Sequence, residues 1–236
     1  MSKEVRVDML GRIIDGRTDL LGRTDRGPQG VLRVWVAITG ALCATIVTTS
    51  GTAFGALGAA PLTDFRLEHG AVHFQAPANW HLLQQEDSDS GAMVIFHVRN
   101  PATDSKGPDR ANVLVSVERT GSTGEMRAIT DTLFASMFDS TGIVLGDTMP
   151  TRDTRFLFWR GQQGATPYAL FDDYGRRGGM VIHVRMSLPI VAATPTSWTQ
   201  AYGRDTQALL ASIKVKGDPV FPGWTGHPTV ERIKSK

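Results

Sequence analysis

The segments "TRFLFWRGQQ" (154–163), "TPYALFDDYG" (166–175) and "GMVIHVRMSL" (179–188) lie close together in the chain and decide its fold class. All three are rich in aromatic and β-branched residues, which favour strands. Glycines at 161–164 and in "GRRGG" (175–179) supply breaks between them. The segments therefore predict three consecutive strands of an antiparallel meander.

Segments upstream of the meander also have strand character. "DFRLEHGAVHFQAP" (64–77) has alternating apolar residues on both sides of His69–Gly70, which predicts a hairpin that turns at this dipeptide. "NWHLLQQ" (79–85) continues it and is followed by a loop. Two further strands are predicted at "AMVIFHVRN" (92–100) and "ANVLVSVER" (111–119).

Two amphipathic helices interrupt the strands. The first is capped by Ser122 or Thr123, and the second runs from about Ser197 to Lys214. Their apolar residues recur at helical spacing: Met126, Ile129, Leu133, Phe134 and Met137 in the first, and Trp198, Tyr202, Leu209, Leu210 and Ile213 in the second. The order of strands, helix, strands and helix predicts one α+β domain, with an antiparallel sheet flanked by helices, over residues 61–216.

The N-terminal region predicts export. Residues 34–63 contain no charge, Arg33 precedes them, and Ala56 and Gly58 fit the −3 and −1 positions of a cleavage site before Pro61. We interpret 34–60 as a signal peptide or an uncleaved inner-membrane anchor, which places the domain in the periplasm or another extracytoplasmic compartment. Residues 1–33 are then a disordered leader, either cytoplasmic or, if translation starts at residue 31, largely untranslated.

Charge and cysteine content exclude several classes of function. Residues 1–60 hold seven Lys/Arg and five Asp/Glu, whereas the rest of the chain holds 18 of each. Without a net positive field the domain has no electrostatic basis for binding nucleic acid. The only cysteine, Cys43, lies in the apolar N-terminal run, so the domain has no thiol nucleophile or thiolate ligand. No G-x-S-x-G, Walker or H-E-x-x-H motif is present.

The order of elements resembles that of the PsbP-like family of exported α/β domains, which includes the extrinsic photosystem II protein and bacterial DcrB-like relatives. The resemblance spans about residues 64–216 and rests on "FQAPANWHLL" with Pro77 and Trp80, on Trp159 and Tyr168 in the meander, and on "ALLASIKV" in the last helix. It implies an antiparallel sheet flanked by helices and a non-enzymatic role in assisting or binding larger assemblies. The photosystem proteins' metal-cofactor role is not carried over, because no residues match it.

Two similar segments, "VIFHVRN" (94–100) and "VIHVRMS" (181–187), contain the candidate ligand-binding residues. Alternation puts His97 on one strand face with Arg99, and His183 on one face with Arg185. If the two strands were neighbours in register, the imidazoles would meet and, with a carboxylate such as Asp172 or Asp173, could hold a metal or shuttle protons. The competing interpretation is a partly solvated polar sheet face, which we favour. No catalytic residue, metal site or cofactor is predicted.

The Pro/Gly-rich tail (217–236) is predicted to be flexible, and Trp224 within it is a candidate anchor for a partner. The function expected from the sequence is that of an exported, non-enzymatic accessory or binding domain that acts through protein contacts at the cell envelope. Its partner would be an envelope protein, and it would contact the membrane only through 34–60 if that segment is uncleaved. The alternative is a small-ligand or metal-binding protein, or an enzyme, that uses the two His-x-Arg segments.

Overall fold

The computed structural model describes residues 6–7, 13–14, 60–89, 91–102, 110–120, 124–137, 142–163 and 165–224. The chain divides into two units, residues 1–57 and 58–236. In the first unit, β1 (Arg6–Val7) pairs antiparallel with β2 (Ile13–Ile14). The leader and export segment predicted at 1–60 otherwise lie outside the described residues, except for Ala60. No helix in the described part of the chain is long and apolar enough to cross a membrane.

A seven-stranded antiparallel sheet forms the centre of the second unit. Its strands are β5 (His81–Ser88), β6 (Gly91–Val98), β7 (Ala111–Arg119), β8 (Ile143–Thr151), β9 (Thr154–Gln163), β10 (Thr166–Arg177) and β11 (Met180–Pro189). Their spatial order is β5-β6-β7-β11-β10-β9-β8. Together with two helices, α1 (Met126–Met137) and α2 (Thr196–Ser212), this sheet confirms the predicted α+β class.

The predicted meander is present as β9, β10 and β11. The Gly178–Gly179 turn joins the last two strands, and both glycines have positive φ values of 59° and 77°. Such values are strained for residues with a Cβ atom, so the glycines suit a two-residue hairpin turn. This turn pairs Arg177 with Met180 and, five residues away along each strand, Asp172 with Arg185.

A second sheet of four strands, ordered β13-β12-β4-β3, accompanies the first. Its strands are β3 (Leu62–Leu67), β4 (Val72–Pro77), β12 (Lys214–Val215) and β13 (Asp218–Pro219). The first two form the hairpin predicted at 64–77, with the turn at the expected place. Glu68 and His69 adopt positive φ of 53° and 54° before Gly70 at 90°.

The core lies between one face of the large sheet and a layer made of α2 and the small sheet. We call this face of the large sheet the core face. Phe96 is central, because it contacts the rings of Phe65 at 4.9 Å, Trp80 at 5.8 Å and Phe74 at 6.4 Å between centroids. The predicted apolar face of β7 (Val113, Val115 and Val117) is buried here. Burying these large aromatic and aliphatic side chains supplies most of the driving force for folding.

Residues 217–224, which we expected to be flexible, pack against the core face. Val220 and Phe221 are buried. A Cβ atom at Gly175 of β10 would lie 2.3 Å from Cγ1 of Val220 and 3.0 Å from Cε1 of Phe221. Gly175 therefore allows the chain after β13 to approach the sheet closely.

Candidate functional site

The second face of the large sheet, which we call the His-Arg face, carries His97 on β6 and His183 and Arg185 on β11. His97 lies opposite His81 on β5 and Asn112 on β7. His183 lies opposite Ser116 on β7. Because β7 runs between β6 and β11, the two histidine strands are not neighbours. The sequence-based hypothesis that the imidazoles of His97 and His183 meet required these two strands to be adjacent, and they are not.

Helix α1 covers the part of the His-Arg face formed by β9, β10 and β11. Apolar side chains of α1, including Met126 and Leu133, pack against Leu157, Tyr174 and Val181. Phe134 meets the Trp159 ring edge to face at 5.8 Å. We call this part the covered half and define it by the polar groups Trp159, Asp172, Tyr174, His183 and Arg185.

Asp172 is the centre of the covered half and is completely buried. Its Oδ1 atom accepts hydrogen bonds from Nε2 of His183 at 2.6 Å and from Nε of Arg185 at 2.7 Å. Its Oδ2 atom accepts from Nε1 of Trp159 at 2.6 Å and from Nη2 of Arg185 at 3.0 Å. An ionised carboxylate only accepts hydrogen bonds, so Nε2 of His183 carries its proton.

These contacts keep Asp172 ionised. Burial by itself would raise the pKa of this carboxyl, but the charge of Arg185 and the hydrogen bond and charge of His183 outweigh burial and hold the pKa far below its usual value. The pKa of Arg185 is raised, because the attraction of Asp172 exceeds the opposing effect of burial. The two residues form a buried, bidentate ion pair.

Aromatic rings enclose this ion pair. The guanidinium carbon of Arg185 lies 5.4 Å from the centroid of the Trp159 ring, within the range of a cation–π contact. The Tyr174 ring stacks on His183 at 4.4 Å between centroids with 10° between the planes. The hydroxyl of Tyr174 and Nη1 of Arg185 are buried without a hydrogen-bond partner in the described residues. Burial, followed by the negative charge of Asp172, raises the pKa of Tyr174.

Arg155 on β9 connects α1 to the sheet. Its Nη1 atom donates to Oδ1 of Asp131 at 2.6 Å and to Oγ1 of Thr130 at 2.8 Å, both on α1. Its Nε and Nη2 atoms donate to Asp147 on β8 at 2.9 and 3.0 Å. The hydrogen bonds from Arg155 are the main reason why the pKa of Asp147 is lowered, and they outweigh the opposing effect of its partial burial. The buried guanidinium thus joins the helix to two adjacent strands.

The chemistry of the covered half is that of a structural ion-pair network. Both oxygens of Asp172 accept two hydrogen bonds each, which leaves its carboxylate poorly suited to act as a general base. No group of three or more His, Cys, Asp or Glu side chains that could hold a metal ion occurs within the described ranges. The sequence led us to expect a partly solvated face, whereas His183 and Arg185 are buried by α1 and by the rings around them.

The remainder of the His-Arg face is formed by β5, β6 and β7, and none of their residues belongs to the cluster of apolar side chains that contains those of α1. We call it the open half and define it by His81, His97, Arg110 and Asn112. His97 is 7% exposed, and its Nδ1 atom is buried with no hydrogen-bond partner in the described chain. Burial, the charge of Arg110 and that of His81 all lower the pKa of His97. The predicted companion of His97, Arg99, follows the end of β6 and is exposed.

Two surface features bear on contacts with partners. Trp224, predicted as an exposed anchor, is half-buried and meets the Phe156 ring edge to face at 6.2 Å. The edge strand β8, which the sequence did not predict, begins with three exposed apolar residues. Ile143 is 60% exposed, Val144 44% and Leu145 36%. The opposite edge strand, β5, exposes Leu82 and Leu83.

Comparison with known proteins gives similarity at the level of the fold. No family model matches the chain, and no curated protein matches it. Among solved structures, cyanobacterial PsbP from Synechocystis sp. PCC 6803 has 17% identity and a TM-score of 0.43, with 70% of this chain and 98% of that chain covered. The predicted resemblance to PsbP-like domains is thereby confirmed for the fold alone.

Two further structures are similar. A protein of unknown function from Pseudomonas aeruginosa, PA94, has 18% identity and a TM-score of 0.33, with 60% of this chain and 93% of that chain covered. A crystal structure from Bacteroides thetaiotaomicron has 12% identity and a TM-score of 0.38 over 64% of this chain. The match spans 47%, about half, of the Bacteroides chain.

Proposed function

We propose that this chain is an exported, non-enzymatic accessory domain that acts through protein contacts at the extracytoplasmic side of the cell envelope. The observation that carries the proposal is the exposed apolar start of β8, at Ile143, Val144 and Leu145. The charged groups of the covered half support it too, because they are bonded to one another and are buried away from any substrate.

Strand β8 has the two features that allow a partner to add a strand to a sheet: an unpaired main-chain edge and exposed apolar side chains beside it. One side of β8 pairs with β9, and no strand of the described chain pairs with the other side. An unpaired edge presents main-chain N–H and C=O groups to an incoming strand, and side chains along it provide selectivity. We therefore assign as partner an envelope protein with an extended, apolar segment that pairs with residues 143–145. A bulge at Leu145, between Val144 and Gly146, interrupts the regular pairing of β8 with β9 within this segment, and a second lies between Thr148 and Thr151.

The Ile143→Asp variant is expected to lose its partner. A carboxylate at this 60% exposed position adds charge to an apolar contact but leaves the core intact. In cross-linked pull-downs of the tagged full chain from its native envelope, quantified by mass spectrometry, we expect recovery of the stoichiometric partner to fall at least about tenfold, the factor that corresponds to 1.4 kcal/mol. Leu83→Asp, on the opposite edge strand, is the matched control and should retain the partner. Equal recovery with both variants and the unaltered protein would contradict the proposed contact.

Export is the second part of the proposal and rests on the charge-free run from residue 34 to 63. We expect the full chain, tagged at its C-terminus, to fractionate with the periplasm or the inner membrane. Deletion of residues 34–58 should leave it in the cytoplasm. The proposal of export fails if the two proteins fractionate alike. The size of the mature protein on the same blot distinguishes cleavage from anchoring.

A further inference from the structure

We propose that the open half of the His-Arg face is a binding site for a small oxyanion group, a carboxylate or a tetrahedral oxyanion, held by His81, His97 and Arg110. This site goes beyond the proposed function, because it lies on β5, β6 and β7 and does not involve the edge strand β8. The proposal stands on three features of the structure: the register that brings the residues together, the burial of an unpartnered ring nitrogen, and the sign of the surrounding charge.

Strand register brings the three residues to one end of the same face. His81, His97 and Asn112 are direct cross-strand partners on β5, β6 and β7. Side chains directly opposite each other on adjacent antiparallel strands have Cβ atoms roughly 5 Å apart. Arg110 lies immediately before β7, two residues from Asn112, and its charge acts on His97. The imidazoles and the guanidinium therefore converge on one small area.

His97 is the group that indicates a ligand. More than nine-tenths of it is buried, yet its Nδ1 atom has no hydrogen-bond partner among the described residues. Buried polar atoms are normally paired, since leaving one unpaired costs stability. His97 is not needed to fill the hydrophobic core, because it lies on the face opposite Phe96 and Val98. A bound group that pairs with Nδ1 would account for its position.

Within the part of the chain that the structure describes, the charges around His97 favour an anion over a cation. Among the described residues, the charged and titratable groups that act on His97 are His81 on β5 and Arg110, the residue immediately before β7. The two carboxylates on the same face of these strands lie toward the other end of the strands. Glu86 is the cross-strand partner of Met93, and Glu118 follows Val117, the partner of Ala92. A guanidinium can hold an oxyanion with two parallel N–H donors, and a protonated imidazole adds a third.

Binding is expected to strengthen as the pH falls. Burial, Arg110 and His81 lower the pKa of His97, so the ring is neutral at pH 7 without a ligand. An oxyanion favours the protonated ring and raises its pKa. By linkage, affinity for the anion increases as the pH decreases through the pKa of the free His97. A site that relied only on arginine would show no such dependence between pH 5.5 and 7.5.

The test is an NMR titration of the full chain that follows the imidazole nitrogens of His81 and His97. Sodium sulfate and sodium acetate are the two probes, each at constant ionic strength, at pH 5.5 and pH 7.5. Arg110→Gln removes the guanidinium at the site, and Arg152→Gln, an exposed arginine in the turn between β8 and β9, is the matched control. Each Gln variant is folded, and therefore gives a valid test, if its backbone amide spectrum away from the substitution matches that of the unaltered protein.

We expect a saturable shift of the His97 signals with at least one probe, tighter at pH 5.5, and about tenfold weaker in Arg110→Gln but unchanged in Arg152→Gln. Saturation with sulfate alone identifies a tetrahedral oxyanion, and saturation with acetate alone identifies a carboxylate. The proposal is overturned if neither probe gives a saturable shift at His97. It is also overturned if both arginine variants weaken binding equally, because this would indicate general screening of surface charge. Neither outcome bears on partner capture by β8.

Discussion

The Asp172→Asn variant is expected to lose about 3–5 kcal/mol of unfolding free energy, the range found when a buried ion pair loses one partner. The substitution keeps the size of the side chain but removes the charge that compensates buried Arg185. The amide NH₂ group also replaces one of the two acceptor oxygens, so it faces the donors of either His183 and Arg185 or Trp159 and Arg185 without being able to accept their hydrogen bonds. Chemical denaturation of the full chain at pH 7 measures the loss.

Asp153→Asn is the matched control for this measurement. Oδ1 of Asp153 accepts hydrogen bonds from Nε and Nη2 of Arg176 at 2.9 and 2.7 Å, so this ion pair uses the same two guanidinium donors as the Asp172–Arg185 pair, but at a part-exposed position. Exposed and part-exposed pairs contribute about 0–1 kcal/mol, because water solvates and screens both charges. A similar loss in both variants would contradict the assignment of Asp172 as the buried centre of the network.

The same network predicts how stability varies with pH. The pKa of Asp172 is lowered in the folded state by Arg185 and His183, which outweigh burial. A carboxyl with a lowered folded-state pKa contributes stability above its unfolded pKa of about 3.9 and loses it as the pH falls further. The difference in stability between the unaltered protein and Asp172→Asn should therefore be constant from pH 5 to 7 and shrink below about pH 4. If this difference in stability instead grew on acidification, the assignment of Asp172 as ionised in the folded protein would be wrong.

Strands β6 and β7, which sequence analysis found, alternate between buried and less buried side chains, whereas β10 and β11 are buried on both faces and were found from their aromatic and β-branched residues. β7 alternates along its whole length, and the two-glycine turn at 178–179 sets the register of β10 and β11. Strand β8 was missed for a physical reason. Gly146 and Pro150 interrupt its sequence, two bulges interrupt its pairing, and most of its side chains are exposed, so no periodic pattern marks it.

The environment of the His-Arg face could be predicted only in part. Alternation correctly assigned His183 and Arg185 to one face of a strand, but alternation does not reveal what covers that face. The covering helix α1 is held by long-range contacts such as Arg155 to Asp131, and these depend on tertiary structure. The insertion of β7 between β6 and β11 is likewise a property of topology rather than of local sequence.

The chain after the last predicted helix illustrates the same difference between composition and packing. Its Pro/Gly-rich sequence predicts flexibility, but Phe221 is buried against the core face and lies 6.3 Å from the Phe156 ring between centroids. Its position depends on Gly175, whose missing side chain leaves room for Val220 and Phe221. Composition alone therefore hid a segment that completes the core.

We expect Phe221→Ala to lower the unfolding free energy by about 3–5 kcal/mol, the cost of removing a buried aromatic side chain and leaving a cavity. Asp218→Ala, three residues earlier, removes an exposed side chain and leaves the main-chain pairing of β13 with β12 in place. Its effect should remain within about 0.5 kcal/mol. Denaturant unfolding of the full chain, followed by tryptophan fluorescence, compares the two variants with the unaltered protein. If residues 217–224 were flexible, as their composition suggests, both substitutions would change the unfolding free energy by equally small amounts. The tail would then be free to contact a partner through Trp224.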